Sequence, residues 1–356
     1  MNPEHDKSQP VVYSHTDFVE SISRETGVSP NEITQRQEPE SSTETDILAA
    51  ARQAIAEQGS HGIEALEAQL NLREQYESQQ RILWEEAVVD ILPSDELGIR
   101  GVNGEIYPMP IYEAMLDMIA GKAEMIETKA EQGFTKLLLV PIAMSRDKLR
   151  VLYGDRLIDH AHTRNLKGAN GDALQLDETM PVYWRDDYYA EANNAIIYYP
   201  QEFGPNHQGL TKAELIDETS RNGVAGWEIL LIEDLLNLPG DRQGMVIGGR
   251  AQLEAGKSPR QYLNTLRNHV SYLGEVGLTP EAWLTYAITH LAEDNQVVDD
   301  FFGGGKISFL TGAYLPESKS TPGACWYRSN SRAHFDVYAP SEEGPNWGAR
   351  TAVRVI

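Results

Sequence analysis

Residues 303–356, GGGKISFLTGAYLPESKSTPGACWYRSNSRAHFDVYAPSEEGPNWGARTAVRVI, constrain this chain more than any other stretch. Two short β-prone runs, 306–310 and 351–356, bracket a long segment dense in Tyr, Trp, Ser, Asn, His and Asp. Such a segment makes a poor core, because its polar groups need partners or water, and a good contact surface. The pattern predicts a long loop between two strands, carried on a platform built by the rest of the chain.

A chain of 356 residues accommodates two or three compact units. Its 41% apolar and 24% charged content is that of a globular protein. With 54 acidic against 30 basic residues the net charge is −24. Phosphate backbones and anionic membrane surfaces are repelled at that charge, and no Lys/Arg run offers a local exception, so neither nucleic acid nor membrane is expected as partner. No run of about 18 apolar residues exists to insert into a bilayer. The first residues lack the basic start and apolar centre of a signal peptide, which makes the cytoplasm the default location and a virion the alternative. Cys325 is the only cysteine, which excludes an internal disulfide and a multi-cysteine zinc site.

Residues 1–45 are rich in Pro, Ser, Thr, Glu and Gln and read as a flexible acidic arm. Residues 46–133 read as mainly helical. One helix is capped by Thr45 or Asp46 and ended by Gly59, and another runs from about 62 until Pro93 stops it. These two offer an apolar face for packing or for self-association. Residues 99–107 read as a hairpin turning at Asn103-Gly104, and 111–132 as one helix. From 134 the character changes. FTKLLLV is a strand that Pro141 confines to an edge or an end, GWEILLIED is a buried strand, and Ser258-Pro259 and Thr279-Pro280 each begin a helix.

Few motifs carry chemistry. His160 and His162 could share a face on a strand, but a third metal ligand is missing. Gly303-Gly304-Gly305-Lys306 lacks both the spacing and the following helix of a phosphate loop, and reads as a hinge. Glu293, Asp294, Asp299 and Asp300 could offer oxygens to Ca²⁺, though no EF-hand pattern frames them. Cys325 would need a base to act as a nucleophile, and His334 is its nearest histidine in sequence.

The order of motifs in the last third carries a resemblance. Pro280-Glu281-Ala282-Trp283-Leu284-Thr285-Tyr286-Ala287 on a helix, then Gly323-Ala324-Cys325-Trp326, then Gly348-Ala349-Arg350, together resemble the formylglycine-generating-enzyme branch of the C-type-lectin fold. In that branch a TEAEWEYAAR-like helix precedes a GGSW-like strand and a closing GFR-V strand. The motifs span 225–356, and the implied domain is 134–356. Family enzymes bind copper through paired cysteines, and this chain has one cysteine. The EPN and WND calcium signatures of sugar-binding lectins are missing too. The same branch includes the variable proteins of diversity-generating retroelements, whose lectin-like domain displays a hypermutated binding surface rich in Tyr, Ser, Asp, His and Asn.

The expectation is therefore an α+β protein with a C-terminal C-type-lectin-like domain, a small twisted antiparallel sheet with two helices, behind a helical amino-terminal region. The resemblance implies a non-catalytic surface for a macromolecular ligand, a protein, made by Trp326, Tyr327, Ser329, Asn330, Ser331, His334, Asp336 and Tyr338. No cofactor or metal belongs to this reading. Trp283 and Trp347 are expected in the core, Gly348 in a tight turn, and Arg350 in hydrogen bonds or an ion pair. The alternative is a metal-dependent oxidoreductase with altered ligands, acting through Cys325 and His334 or through His160 and His162.

Overall fold

The computed structural model describes residues 63–185, 189 and 196–355, so the arm over 1–45 and the helix expected over 45–59 lie outside the described residues. Glu67–Ile356 is one compact unit that runs across the expected division at 133/134. Its architecture is α+β, with helices and several small, mainly antiparallel sheets.

Helix α1 (Leu72–Glu85) follows Asn71, whose φ of 50° interrupts the continuous helix expected from 62 onward. That helix also stops earlier than Pro93, because 90–91 turn into a strand, β1 (Asp90–Ile91). β1 pairs with β2 (Leu97–Arg100), and β2 with β3 (Ile106–Pro108), around the Asn103-Gly104 turn. Gly104 has a φ of 82°, which glycine adopts without a Cβ penalty. Helices α2 (Tyr112–Ala120) and α3 (Ala123–Glu131) replace the single expected helix, with a break at Gly121 and Lys122.

Strand β4 (Phe134–Val140) leads into α4 (Arg146–Thr163), whose cap Ser145 accepts from the Lys148 N–H. Strands β5 (Val182–Trp184) and β6 (Ile197–Tyr198) follow, then α5 (Lys212–Arg221), β7 (Glu228–Glu233), β8 (Val246–Ile247) and β9 (Arg250–Ala251). Helix α6 (Pro259–Asn268) starts at a full capping box between Ser258 and Gln261. After β10 (Glu275–Gly277), Thr279 caps helix α7 (Pro280–Asp294) by accepting from the Ala282 N–H at 3.1 Å. The remaining strands are β11 (Asp300–Phe301), β12 (Ile307–Phe309), β13 (Ala313–Tyr314), β14 (Thr321–Tyr327), β15 (Arg332–Tyr338), β16 (Trp347–Ala349) and β17 (Thr351–Arg354).

Two sheets organise the unit. The first is antiparallel throughout, in the order β10-β17-β7-β4, and its edge strand β4 is followed at once by Pro141, where no ladder hydrogen bond is owed. The second has the order β16-β12-β14-β15-β5, with β11 pairing parallel to β14. Helix α7 is buried on every side from Pro280 to Leu291 and touches β4 of the first sheet and β14 of the second. A helix covered all round must be largely apolar, which Trp283, Leu284, Ala287, Ile288 and Leu291 supply.

The segment expected as a long loop is instead the centre of the second sheet. Thr321 to Tyr327 and Arg332 to Tyr338 form an antiparallel hairpin in continuous register, and only 328–331 turn. The reason lies in a period of two: Ala333, Phe335 and Val337 alternate with Arg332, His334, Asp336 and Tyr338, which is the pattern of a half-buried strand. Gly348 also lies in a strand, β16, rather than a turn. Its packing is tight, since a Cβ would sit 3.1 Å from Leu238 Cδ1 and that side chain would have to yield by a few tenths of an ångström.

Arg350 enters as an ion pair. Its Nε and Nη2 reach the two oxygens of buried Asp299 at 2.9 and 2.8 Å, and Trp283 Nε1 donates to the same carboxylate at 2.9 Å. Removing one partner of such a pair leaves an uncompensated charge in the interior. Arg350→Met is expected to cost about 3 to 5 kcal/mol in urea unfolding, and pairing it with Asp299→Asn should recover part of that loss. A cost below about 1 kcal/mol would show that the pair does not hold the two sheets' junction.

Candidate functional site

Cross-strand partners in a hairpin share a face, so the register sorts the hairpin into two sides. Opposite pairs Tyr327 with Arg332, Cys325 with His334, Gly323 with Asp336, and Thr321 with Tyr338 define one. Trp326 with Ala333 and Ala324 with Phe335 define the other, which packs inward, where Phe335 meets Trp283 edge-on at 5.1 Å between ring centroids.

The first side carries a chain of rings. Tyr183 of β5 stacks on His334 at 4.2 Å with 14° between planes, and His334 lies 5.3 Å from Tyr327. Tyr327 in turn contacts Phe301 at 5.3 Å and Phe302 at 5.6 Å. Further along, Tyr338 sits 6.0 Å from Trp347 and 5.4 Å from Phe309. The Arg332 guanidinium lies over the Tyr183 ring at 5.3 Å. Tyr183, Tyr327, His334, Tyr338 and Trp347 are all half-buried, while Phe302 is 62% exposed. Rings in this condition present apolar area and polar tips at once.

The turn that joins the strands is pinned. Arg328 Nε and Nη2 donate to the two Asp300 oxygens at 2.7 and 2.6 Å, and Nη1 and Nη2 donate to Asp172 at 2.6 and 2.8 Å. The Asp177 N–H donates to the Ser331 carbonyl at 2.7 Å. This leaves Ser329 and Asn330 exposed at the tip, with Ser331 in the left-handed region at φ 54°. Asp336 accepts from Arg185 Nη1 at 3.0 Å and from the Val337 N–H at 2.8 Å.

Of the eight residues expected to form a surface, the structure brings Tyr327, His334, Asp336 and Tyr338 onto one face and puts Ser329, Asn330 and Ser331 at its end. Trp326 is corrected: it is 0% exposed and belongs to the inward side, because its strand parity is opposite to that of Tyr327. Trp347, expected in the core, is half-buried on the ring-bearing side. Tyr183 and Phe302 were not among the expected residues. The alternation in Val182, Tyr183 and Trp184 was available to single out Tyr183, whereas nothing local distinguishes Phe302.

The motifs considered for catalysis fall apart or are consumed by structure. His160 and His162 lie on α4, where two positions apart is about 200° around the axis. His160 bonds Asn295 Oδ1 at 2.8 Å and His162 bonds Glu178 at 2.8 Å, so they share no ligand position. Asp299 and Asp300 are neutralised by Arg350 and Arg328 rather than offered to Ca²⁺. The triglycine wraps that pairing: a Cβ at Gly303 would stand 2.2 Å from Asp300 Oδ2 and 2.3 Å from Arg328 Nε. Close approach, not hinge motion, explains its composition. Cys325 and His334 are in direct register, yet Cys325 is 1% exposed, and burial, with Asp299, Asp300 and Asp336 adding to it, pushes its thiol well above the ordinary range. A thiolate is disfavoured there.

No family model, no curated protein and no solved structure matches this chain. No helix of the described residues is long and apolar enough to cross a membrane.

Burial lowers the His334 pKa, Asp336 opposes that shift, and Arg332 adds to it. The neutral ring between Tyr183 and Tyr327 is thus the folded form. With a folded pKa below the unfolded value of about 6.5, His334 contributes stability above that pH and loses it as pH falls through the folded pKa. An NMR titration should place His334 below about 6.5, and Asp336→Asn should lower it further, because the opposing carboxylate is gone. A value at or above that of free imidazole would contradict the packing described.

Proposed function

We propose that the ring-bearing face of the β14–β15 hairpin binds a macromolecular ligand, a protein, on a C-type-lectin-like scaffold of the formylglycine-generating-enzyme type. The observation that carries this reading is the unbroken contact series Tyr183, His334, Tyr327, Phe302 on one side of a hairpin whose turn is tied down by Arg328. Protein-binding surfaces of high affinity draw most of their energy from a few aromatic anchors, with small polar groups adapting around them. Tyr327, Tyr338 and Trp347 are suited to the first role, and Ser329, Asn330 and Asp336 to the second. Pre-ordering by Arg328 lowers the entropy lost on association.

The proposal extends to diversification. In the variable proteins that the terminus resembles, substitutions fall on outward positions of a rigid scaffold. The ring-bearing side here carries half-buried Tyr, Arg, His and Asp over buried Thr321, Gly323 and Cys325, while the inward side carries Ala, Trp and Phe. A reverse-transcriptase gene and an imperfect DNA copy of the segment encoding 321–338 beside this gene are expected, and their absence would remove diversification while leaving binding open to its own test. For binding, Tyr327→Ala and Tyr338→Ala should each weaken the complex with an identified protein ligand by about 1 to 4 kcal/mol, measured by calorimetry. Unchanged affinity in both variants would end the proposal.

A further inference from the structure

We propose that the last turn of α7 holds a divalent cation of the zinc class on His290, Glu293 and Asp294. The three side chains stand at i, i+3 and i+4, which on a helix is one face. One ligand atom from each lies within 4.8 Å of the others, and His290 Nδ1 is 3.5 Å from an Asp294 oxygen. Two ligands about 2.1 Å from a tetrahedral zinc ion are separated by roughly 3.4 Å, so this spacing suits an ion placed between them.

The second observation is independent of the carboxylates. His290 is 7% exposed, and among the described residues neither of its ring nitrogens has a hydrogen-bond partner, Nδ1 meeting only the Asp294 carboxylate at 3.5 Å. A buried imidazole that satisfies neither nitrogen is uncommon, and an ion is one of the few things that accounts for it. His160 on the neighbouring α4, by contrast, is satisfied by Asn295.

The surroundings favour a cation and set its type. The end of α7 directs unpaired carbonyls and the negative pole of the helix at this position. Lys136 and Arg350 are the positive groups that face His290, with Asp234 on the negative side. Lys136 Nζ already holds one Glu293 oxygen at 2.5 Å and Asp234 at 3.4 Å, which leaves the other Glu293 oxygen for an ion and fixes the carboxylate's orientation. Glu293 also lines an open cleft of about 460 Å³ with Gln75, Thr135 and Asp234, so this ligand is reached from solvent. One imidazole nitrogen with two carboxylates suits zinc and its first-row neighbours better than Mg²⁺ or Ca²⁺, which favour all-oxygen shells.

The test uses the full chain, stripped with chelator and titrated with Zn²⁺ by calorimetry and thermal melting. One equivalent should bind saturably and raise the melting temperature, with Mg²⁺ and Ca²⁺ having no such effect at equal concentration. The exposed pair Glu293→Gln with Asp294→Asn should weaken Zn²⁺ at least tenfold and abolish the Zn²⁺-induced rise above its own metal-free melting temperature, which is itself set without the Lys136–Glu293 ion pair. His290→Gln should abolish binding, and Co²⁺ substituted for Zn²⁺ should lose its visible absorption in the same variants. Should His290→Gln fail to fold, the carboxylate pair still decides. Absence of saturable binding, Zn²⁺ affinity unchanged in the carboxylate variant, or equal response to Mg²⁺ would each overturn the site.

Discussion

Two consecutive buried aspartates hold the carboxy-terminal half of this protein together. Asp299 and Asp300 are fully buried and point to different guanidinium groups, Asp299 to Arg350 at the entry of the closing strand and Asp300 to Arg328 at the hairpin turn. Their backbones are equally committed, since the Asp299 carbonyl accepts from the Trp326 N–H and the Asp300 N–H donates to Asn237. Desolvating two adjacent carboxylates is expensive and is tolerated only when each charge is matched and its lone pairs are used. Asp299 also adopts a φ of 51°, a conformation that a non-glycine residue keeps only where its neighbours over-determine it. Helix α7, the end of the chain and the hairpin thus meet at one dipeptide.

That junction explains how a surface composed of Tyr, His, Asp and Arg can be rigid. Adaptable polar side chains on a mobile segment lose much of their contact energy to ordering. Here the backbone beneath them is a paired strand on both sides, with β12 and β5 flanking the hairpin, and the turn is fastened from below. Ser329 and Asn330 stay exposed at the tip above a base that is hydrogen-bonded on both sides.

Much of the architecture was legible in local chemistry. Helix starts at Ser258 and Thr279 follow from a hydroxyl placed before the first turn, and the strands GWEILLIED and FTKLLLV from uninterrupted apolar runs. Breaks inside helices were not, because Asn71 and the Gly121-Lys122 junction are set by how successive helices pack rather than by any strong breaker. The hairpin was mistaken for a loop for an instructive reason. Composition alone makes SNSRAHFDVY look like a loop, whereas its alternation marks a strand with one solvent-facing side, and the second property decided. The same alternation turns Trp326 inward, while Trp347 lies outside the hairpin on β16 and is placed by pairing with β12. The alternation around Tyr183 marks it as facing out of its strand, but that β5 lies beside β15, and that Phe302 just past β11 reaches Tyr327, is set by pairings distant in the chain.

The parity of the hairpin has a consequence for substitution. Along β15 the even-numbered residues lie half-buried on the ring-bearing side, while Ala333 and Phe335 face the interior, Phe335 against Trp283. Opposite the even positions stand Thr321, Gly323 and Cys325, all small and all buried, with the Tyr338 ring closing over Gly323. Two packing demands are therefore interleaved in one strand: Ala333 and Phe335 fill the interior, and the even positions must cover the small buried residues across the ladder.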